Sequence, residues 1–388
     1  MNKKLLWIYI LSGSIYFTQG IEGLPSLSLF FHLKENLHYS PSTIMYIGSL
    51  TSIAWIIKIF WGYLVDNYLS SKRWITLSLI SSLLICLFLG LSPIIPIFIL
   101  IPLLMLGNMN TALRDVANDG MMCVEGKKAG ECASIQTVQW ISITIASIIV
   151  GLGGGYLADH FNYKISYLCL IPIYLIIMGI VSKYKGSKAK RETLKTQKPL
   201  ATLVSYKELF INKQFLLGCL FIFTYNFAPG FGTPLMFIQR DVFKWSGTFM
   251  GVIAAISSIL SIVGAILYFK FNKKINIKKC LFWSVFLVGT TNLCYLYFTP
   301  LSSIIYSFVF SILGMFIFLN MMSYMAKSTL AGKEAVSFAL LCSCNNLSAT
   351  CSSLVGAWLY PLLGLKTIIV LAAISAFLSL PILKKIKI

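Results

Sequence analysis

The chain of 388 residues is 57% hydrophobic and 11% charged, with a mean hydropathy of +0.82. A soluble globular protein carries about 45–50% apolar residues, so this composition excludes that class and points to a polytopic all-α membrane protein. The formal net charge of +20 would suit a nucleic-acid binder, but the basic residues form no stripe on a soluble domain. They lie in short segments between apolar runs, and no nucleic-acid partner is expected.

The opening MNKKLLWIYILSGSIYF has the basic start and apolar stretch of a signal peptide. No A-x-A site follows and the apolar run continues to Phe31, which predicts a retained first helix. A window of about 19 residues then gives about twelve spans, roughly 5–31, 42–65, 74–91, 94–118, 132–157 and 164–182, followed by roughly 214–238, 247–269, 280–298, 302–326, 334–359 and 365–383. Lys and Arg crowd alternate loops, including Lys72 and Arg73, Lys127 and Lys128, Lys273 and Lys274, and Lys384 and Lys385. Cytoplasmic loops keep such residues, so both termini are expected on the cytoplasmic side of a cell membrane, plasma or inner. The hydrophilic stretch within 183–213 divides the chain into an N-terminal bundle (1–182), a cytoplasmic basic linker and a C-terminal bundle (214–388). Most of the ten cysteines fall inside apolar runs and read as small core residues rather than disulfides.

The two halves show a repeat. YFTQGIEGLP at 16–25 and YNFAPGFGTP at 225–234 both read Tyr-x6-Gly-x-Pro. Gly/Pro-interrupted spans at corresponding places point to a transporter's midplane site. Within the first of them stands Glu22, an acid whose burial in lipid costs a few kcal/mol; it reads as a substrate contact, a proton carrier, or an acid bonded across a helix interface. Lys58, in WIIKIFWGYLVD, is a basic residue well inside a span. At about 1.5 Å per residue, Glu22 lies too far along its span to reach Lys58 and is level with Asn108, whereas Asp115 lies near the lysine. A Lys58–Asp115 pair is therefore expected. The cluster RDVAND ends the fourth span: Asp115 and Asp119 share one helix face, and Asn110, Arg114 and Asn118 form an adjoining stripe. GYLVDNYLSSKRW at 62–74 brings Asp66, Lys72 and Arg73 to the same membrane surface.

That loop resembles, in degenerate form, the G-x-L-x-D…R-R signature of the major facilitator superfamily, whose charge pairs close and open a cytoplasmic gate. The resemblance implies two pseudo-symmetric six-helix bundles and gating roles for Asp66, Arg73, Arg114, Asp115 and Asp119; solute or proton handling and static pairing are the alternatives. YFTQGIEGL, LKENLHYSP at 33–41, WIIKIFWGYLVD at 55–66, DVANDGMMCVE at 115–125 and AGECASIQTVQW at 129–140 are together similar to the folate-biopterin transporter family. Ile59 stands where that family often has proline. Muropeptide permeases and acetyl-CoA transporters share a similar Asp-x3-Asp and form the alternative; AGECASIQTVQW tips the choice.

The resemblance implies a folate- or pterin-like organic solute. A carboxylate can accept two hydrogen bonds from a pterin's amide and amino edge, which suggests Glu22; Lys58 or Arg114 would suit a folate's anionic tail. Asn108 is a further solute contact, and Tyr16, Trp140 and Tyr225 are candidate aromatic walls. EGKKAG and AGKEA lack the G-x4-G-K-[ST] phosphate cradle, so secondary transport by alternating access is expected, with proton coupling at Glu22 or Asp119. No HExxH or paired nucleophile occurs; neither an enzyme nor a metal or other cofactor is expected. A channel or non-transporting receptor is the different-class alternative. A monomer is expected in the bilayer.

Overall fold

The computed structural model describes residues 3–129, 131–184, 210–271, 274, 276–330 and 334–386, without the side chains of 3, 4, 66, 123–129, 132, 133, 334 and 335. Most of the expected 183–213 linker lies outside the described residues. Each expected apolar run is mostly helical, with interruptions that include 22–25, 52, 57 and 227–231. In chain order the elements are α1 (Lys3–Ile21), α2 (Ser26–Phe31), α3 (Pro41–Thr51), α4 (Ile53–Ile56), α5 (Lys58–Asn67), α6 (Ser71–Leu91), α7 (Ile97–Ala129), α8 (Cys132–Ile149), α9 (Gly155–His160), α10 (Tyr163–Leu168) and α11 (Leu170–Lys183). There follow α12 (Lys213–Asn226), α13 (Gly232–Asp241), α14 (Gly247–Phe271), α15 (Ile277–Cys294), α16 (Pro300–Lys327), α17 (Glu334–Ala376) and α18 (Leu380–Lys385). Among the described residues, 7 helices are long and apolar enough to cross a membrane. Phe98, Phe269 and Trp283 stand 73%, 80% and 68% exposed, as side chains facing lipid do.

Local chemistry sets the helix ends. Ser40, Ser70, Asn162, Asn212 and Asn276 each accept a backbone N–H of the helix they precede, and Thr299 forms a reciprocal box with Ser302. Gly364, at φ 72° and ψ 169°, breaks α17.

The chain condenses into two compact units. The first comprises Met1–Leu37, Ile57–Pro199 and Ser246–Ala255; the second comprises His38–Ile56, Leu200–Trp245 and Ile256–Ile388. The units thus depart from the sequence halves at 38–56 and 246–255. In the first, α1 lies against α7 and α8, and α7 also packs on α5 and α6. The start of α14 crosses the segment before α9 with backbones in contact: a Cβ on Gly251 would meet the Gly151 carbonyl oxygen at 2.1 Å. Asp159 caps that start, accepting Gly247 N at 2.7 Å, Thr248 N at 2.6 Å and Thr248 Oγ1 at 2.7 Å.

The core of the second unit is built from Phe221, Ile222, Leu281, Val285, Met321 and Leu341. Its non-helical stretch 227–231 is sealed against α17: Ala228 N donates to Ser352 Oγ at 3.1 Å and Gly230 N to the Ser352 carbonyl at 2.8 Å. Backbone groups at membrane depth need such partners.

One device recurs at the same helix position in both units. Lys72, second residue of α6, donates to the carbonyls of Ser182 (2.9 Å) and Tyr184 (2.6 Å). Lys278, second residue of α15, donates to those of Lys384 (3.4 Å) and Ile386 (2.5 Å). Each ammonium satisfies carbonyls at the end of a helix, where the dipole favours a cation. Non-glycine residues at positive φ likewise follow the first interrupted span of each half, His38 (52°) and Lys244 (55°). Lys72→Met and Lys278→Met are each expected to lower stability by about 1 kcal/mol, the net value of a partly exposed charge-assisted hydrogen bond, read as a lower thermal midpoint in detergent. Gly251→Leu should abolish the monodisperse folded peak, because the displaced atom is backbone.

Candidate functional site

The polar centre of the first unit is organised by α7. Successive residues on a helix project about 100° apart, so Arg114 and Asp115 leave the same turn towards different neighbours. Arg114 Nη2 donates to Glu22 Oε1 at 2.5 Å. The arginine side chain is 1% exposed and the glutamate 15%. Glu22 sits where α1 has given way to tight turns, with Gly23 N bonded to the Gly20 carbonyl and Leu24 N to that of Ile21. Its carboxylate also accepts Tyr174 Oη at 2.6 Å and Thr111 Oγ1 at 2.7 Å.

Asp115 pairs with Lys58, the first residue of α5, at 2.7 Å; the side chains are 5% and 17% exposed. One turn further along α7, Asp119 accepts Tyr16 Oη at 3.1 Å, with Lys58, Asp115 and Gln139 as its other polar neighbours. Tyr16 also meets the edge of Trp140, with ring centroids 6.5 Å apart. A third link between α1 and α7 runs from Ser12 Oγ to Asn118 Oδ1 at 3.1 Å. Two carboxylates and one ammonium share the second group, so full ionisation leaves it one negative charge in excess, whereas Glu22 and Arg114 neutralise each other.

Several donors here are buried without a hydrogen-bond partner among the described residues: Arg114 Nε and Nη1 and Asn118 Nδ2. Each costs about 1–3 kcal/mol while unsatisfied. The site therefore holds donors in reserve.

The Lys58–Asp115 pair is the one the depth count selects. Glu22 is not level with Asn108: its partners Thr111 and Arg114 lie about one and about two turns further along α7, and Asn108 Nδ2 donates to the Leu104 carbonyl at 3.0 Å. The count treated the run to Phe31 as a regular helix and ignored the reach of the arginine stem. Arg114, expected beside the aspartates, turns instead to Glu22. Tyr225 lies in the core of the second unit, its hydroxyl 2.6 Å from Ser284 Oγ, and contributes there to packing rather than an open wall. Arg73 is exposed at the start of α6, its backbone N–H on Ser70 Oγ. The Asp66 side chain lies outside the described residues. Sequence reasoning missed Thr111, Tyr174 and Gln139. Thr111 was accessible, being three residues before Arg114 on the same helix face; nothing local marks Tyr174.

Residues 19–386 match the BT1 family. The chain belongs to the BT1 family. Relatives of this BT1 protein include a folate-biopterin transporter of Synechocystis sp., 24% identical over 97% of this chain and 81% of that protein. Folate transporter 1 of Plasmodium falciparum is 26% identical over 92% of this chain and 74% of its own. Among solved structures, a D-xylose-proton symporter superposes with a TM-score of 0.77 at 11% identity, covering 99% of this chain and 98% of the symporter. The nucleoside transporter NupG does so with 0.74 at 14%, covering 99% and 100%. The BT1 protein is thus an integral membrane protein with the major-facilitator fold.

Removing one partner of a buried pair leaves an uncompensated charge, at about 3–5 kcal/mol. Lys58→Met, which leaves Asp115 and Asp119 facing each other, should therefore impair function, and adding Asp115→Asn should restore part of it; a double variant no better than the single would break the assignment of that pair.

Proposed function

We propose that this BT1 protein is a secondary active transporter that carries a folate- or pterin-like solute with protons by alternating access. The folate-named relatives support the solute class. Arg114 Nε and Nη1, donors without a partner among the described residues, are suited to the carboxylate of a folate tail, and Glu22 is suited to the heterocycle's amide and amino edge. Tyr16 and Trp140 supply an aromatic flank. The two sequence halves act as the moving bundles, with Asp66 near the end of α5 and Arg73 near the start of α6 as gating residues, and both termini face the cytoplasm.

The excess negative charge of the Lys58–Asp115–Asp119 group carries the proton assignment. A lone carboxylate charge at membrane depth is costly, and a proton on Asp119 removes it. Glu22 already faces a cation, Arg114, so Asp119 takes precedence over Glu22 as the coupling acid. When the proton leaves, Asp119 is left ionised beside Asp115 with one ammonium, Lys58, for the two among the described residues, and the Lys58 contact is redistributed; that redistribution is the electrostatic event coupled to the change of access.

In sealed vesicles with labelled folate, Asp119→Asn should lose pH-gradient-driven accumulation by about tenfold or more while keeping exchange of labelled for unlabelled solute, the split expected when coupling rather than binding is removed. Glu22→Gln should instead raise the KM for folate. Undiminished accumulation in Asp119→Asn would remove that residue from coupling, and failure of folates and pterins to compete for uptake would overturn the solute class.

A further inference from the structure

The expected second span, 42–65, is not one helix. α3 ends at Thr51, α4 runs only from Ile53 to Ile56, and Ile57 (φ −90°, ψ 30°) interrupts the helix before Lys58 opens α5. Sharp breaks are almost always due to proline, a glycine or serine pair, a π-bulge, or a group inserted into the backbone ladder. The first interruption has a serine and threonine origin: Thr51 Oγ1 and Ser52 Oγ both bond the Gly48 carbonyl, at 3.0 and 2.7 Å. Around Ile57 the sequence IAWIIKIFW holds no glycine, proline, serine or threonine. An inserted group is present. Asn346 Nδ2, from α17, donates to the Trp55 carbonyl at 2.9 Å, across 291 residues of sequence.

We propose that Asn346 is a positioning residue for the charged centre: by holding the Trp55 carbonyl it maintains the break that makes Lys58 the first residue of α5 and aims it at Asp115. The Trp55 carbonyl belongs to the last turn of α4, where a carbonyl is open to a donor from another helix. Asn346 supplies one. Three residues on, Lys58 reaches Asp115 at 2.7 Å. Its ammonium stands at a helix start, where the dipole disfavours a cation, so the lysine depends on the carboxylates it faces. The Asn346 amide, uncharged at every pH, sets the position of a charge without titrating itself.

The consequence for pH rests on the assignment of Asp119 as the coupling acid. Among the described residues, the groups facing Asp119 are Tyr16 from α1, Lys58 from α5, Asp115 from its own helix and Gln139 from α8. Lys58 is the cation among them. Withdrawing a neighbouring cation makes a carboxylate hold its proton more tightly. Loss of the Asn346 donor therefore moves the pH profile of uptake in the alkaline direction.

The test measures initial uptake of labelled folate against pH, in vesicles matched for inserted protein, for the full chain. Asn346→Leu should move the midpoint to higher pH by about one unit, the effect of displacing a nearby charge. Its Vmax should fall about tenfold with KM within about twofold. Asn346→Ala, which removes the same donor with less bulk, should do likewise, and Asn346→Gln, which keeps it, should recover most of the wild-type profile. In a Lys58→Met background, Asn346→Leu should add no further change in midpoint or Vmax, because the two substitutions act through one group. Wild-type behaviour of both Asn346→Leu and Asn346→Ala, or effects that add fully to those of Lys58→Met, would overturn the proposal. Uptake by Asp119→Asn that keeps its pH dependence would overturn the Asp119 assignment instead, leaving the non-additivity of Vmax as the measure of positioning.

Discussion

A charge placed in hydrocarbon has to be matched within a few ångströms, and in this protein α7 does the matching. Because Arg114 and Asp115 are successive residues, one turn serves two partners on different sides, Glu22 and Lys58. A buried pair adds little net stability, since the desolvation of both ions offsets most of their attraction, but an unmatched member is strongly destabilising. The pairs therefore act chiefly as constraints. They fix the register of α7 against α1 and against α5, and Tyr174 and Thr111 fix the orientation of the Glu22 carboxylate that α1 presents.

The charges also coincide with irregular backbone. Glu22 stands in the turns that end α1, and Lys58 follows the break at Ile57. Irregular chain at membrane depth persists only where something other than water satisfies its polar groups. Asn346 does so at Trp55 and Ser352 at Ala228 and Gly230. Each supporting residue lies on α17, so one helix of the second unit secures irregular segments from both sequence halves. Small residues permit the close approach: a Cβ on Gly356 would fall 2.0 Å from the Gly230 carbonyl oxygen.

Satisfaction of the centre is incomplete in an informative way. Arg114 directs one nitrogen to Glu22 and leaves two without partners among the described residues, although it is buried. The group around Asp119 holds more acid than base. Both features oppose stability, and both suit the proposed cycle, in which a solute carboxylate or a proton would supply what is missing. Sites of function are where local rules of polar satisfaction are broken at a cost met elsewhere in the fold.

The residues differ in how far they could be read in advance. The apolar runs gave the helices, since hydrophobic cost and the rise per residue are properties of a segment taken alone. The same rise placed Lys58 beside Asp115, and the paired Tyr-x6-Gly-x-Pro segments located the irregular start of each half. Depth is nevertheless a single coordinate. It cannot say which way a helix is turned or how far a long side chain reaches, so Arg114 was grouped with the aspartates, Glu22 was set level with Asn108, and Tyr225, packed in the second unit's core, looked like a wall.

What the amino-acid sequence determined by itself was the set of membrane helices, their order, and the depth at which charge must be compensated, all of which follow from local hydropathy and a fixed helical pitch. Only the tertiary structure decided which face of α7 meets which helix, that Tyr174 closes the Glu22 site, and that a run without glycine or proline breaks before Lys58. Those outcomes depend on partners remote in the chain, as Asn346 is from Trp55, and no segment encodes a neighbour it meets only after folding.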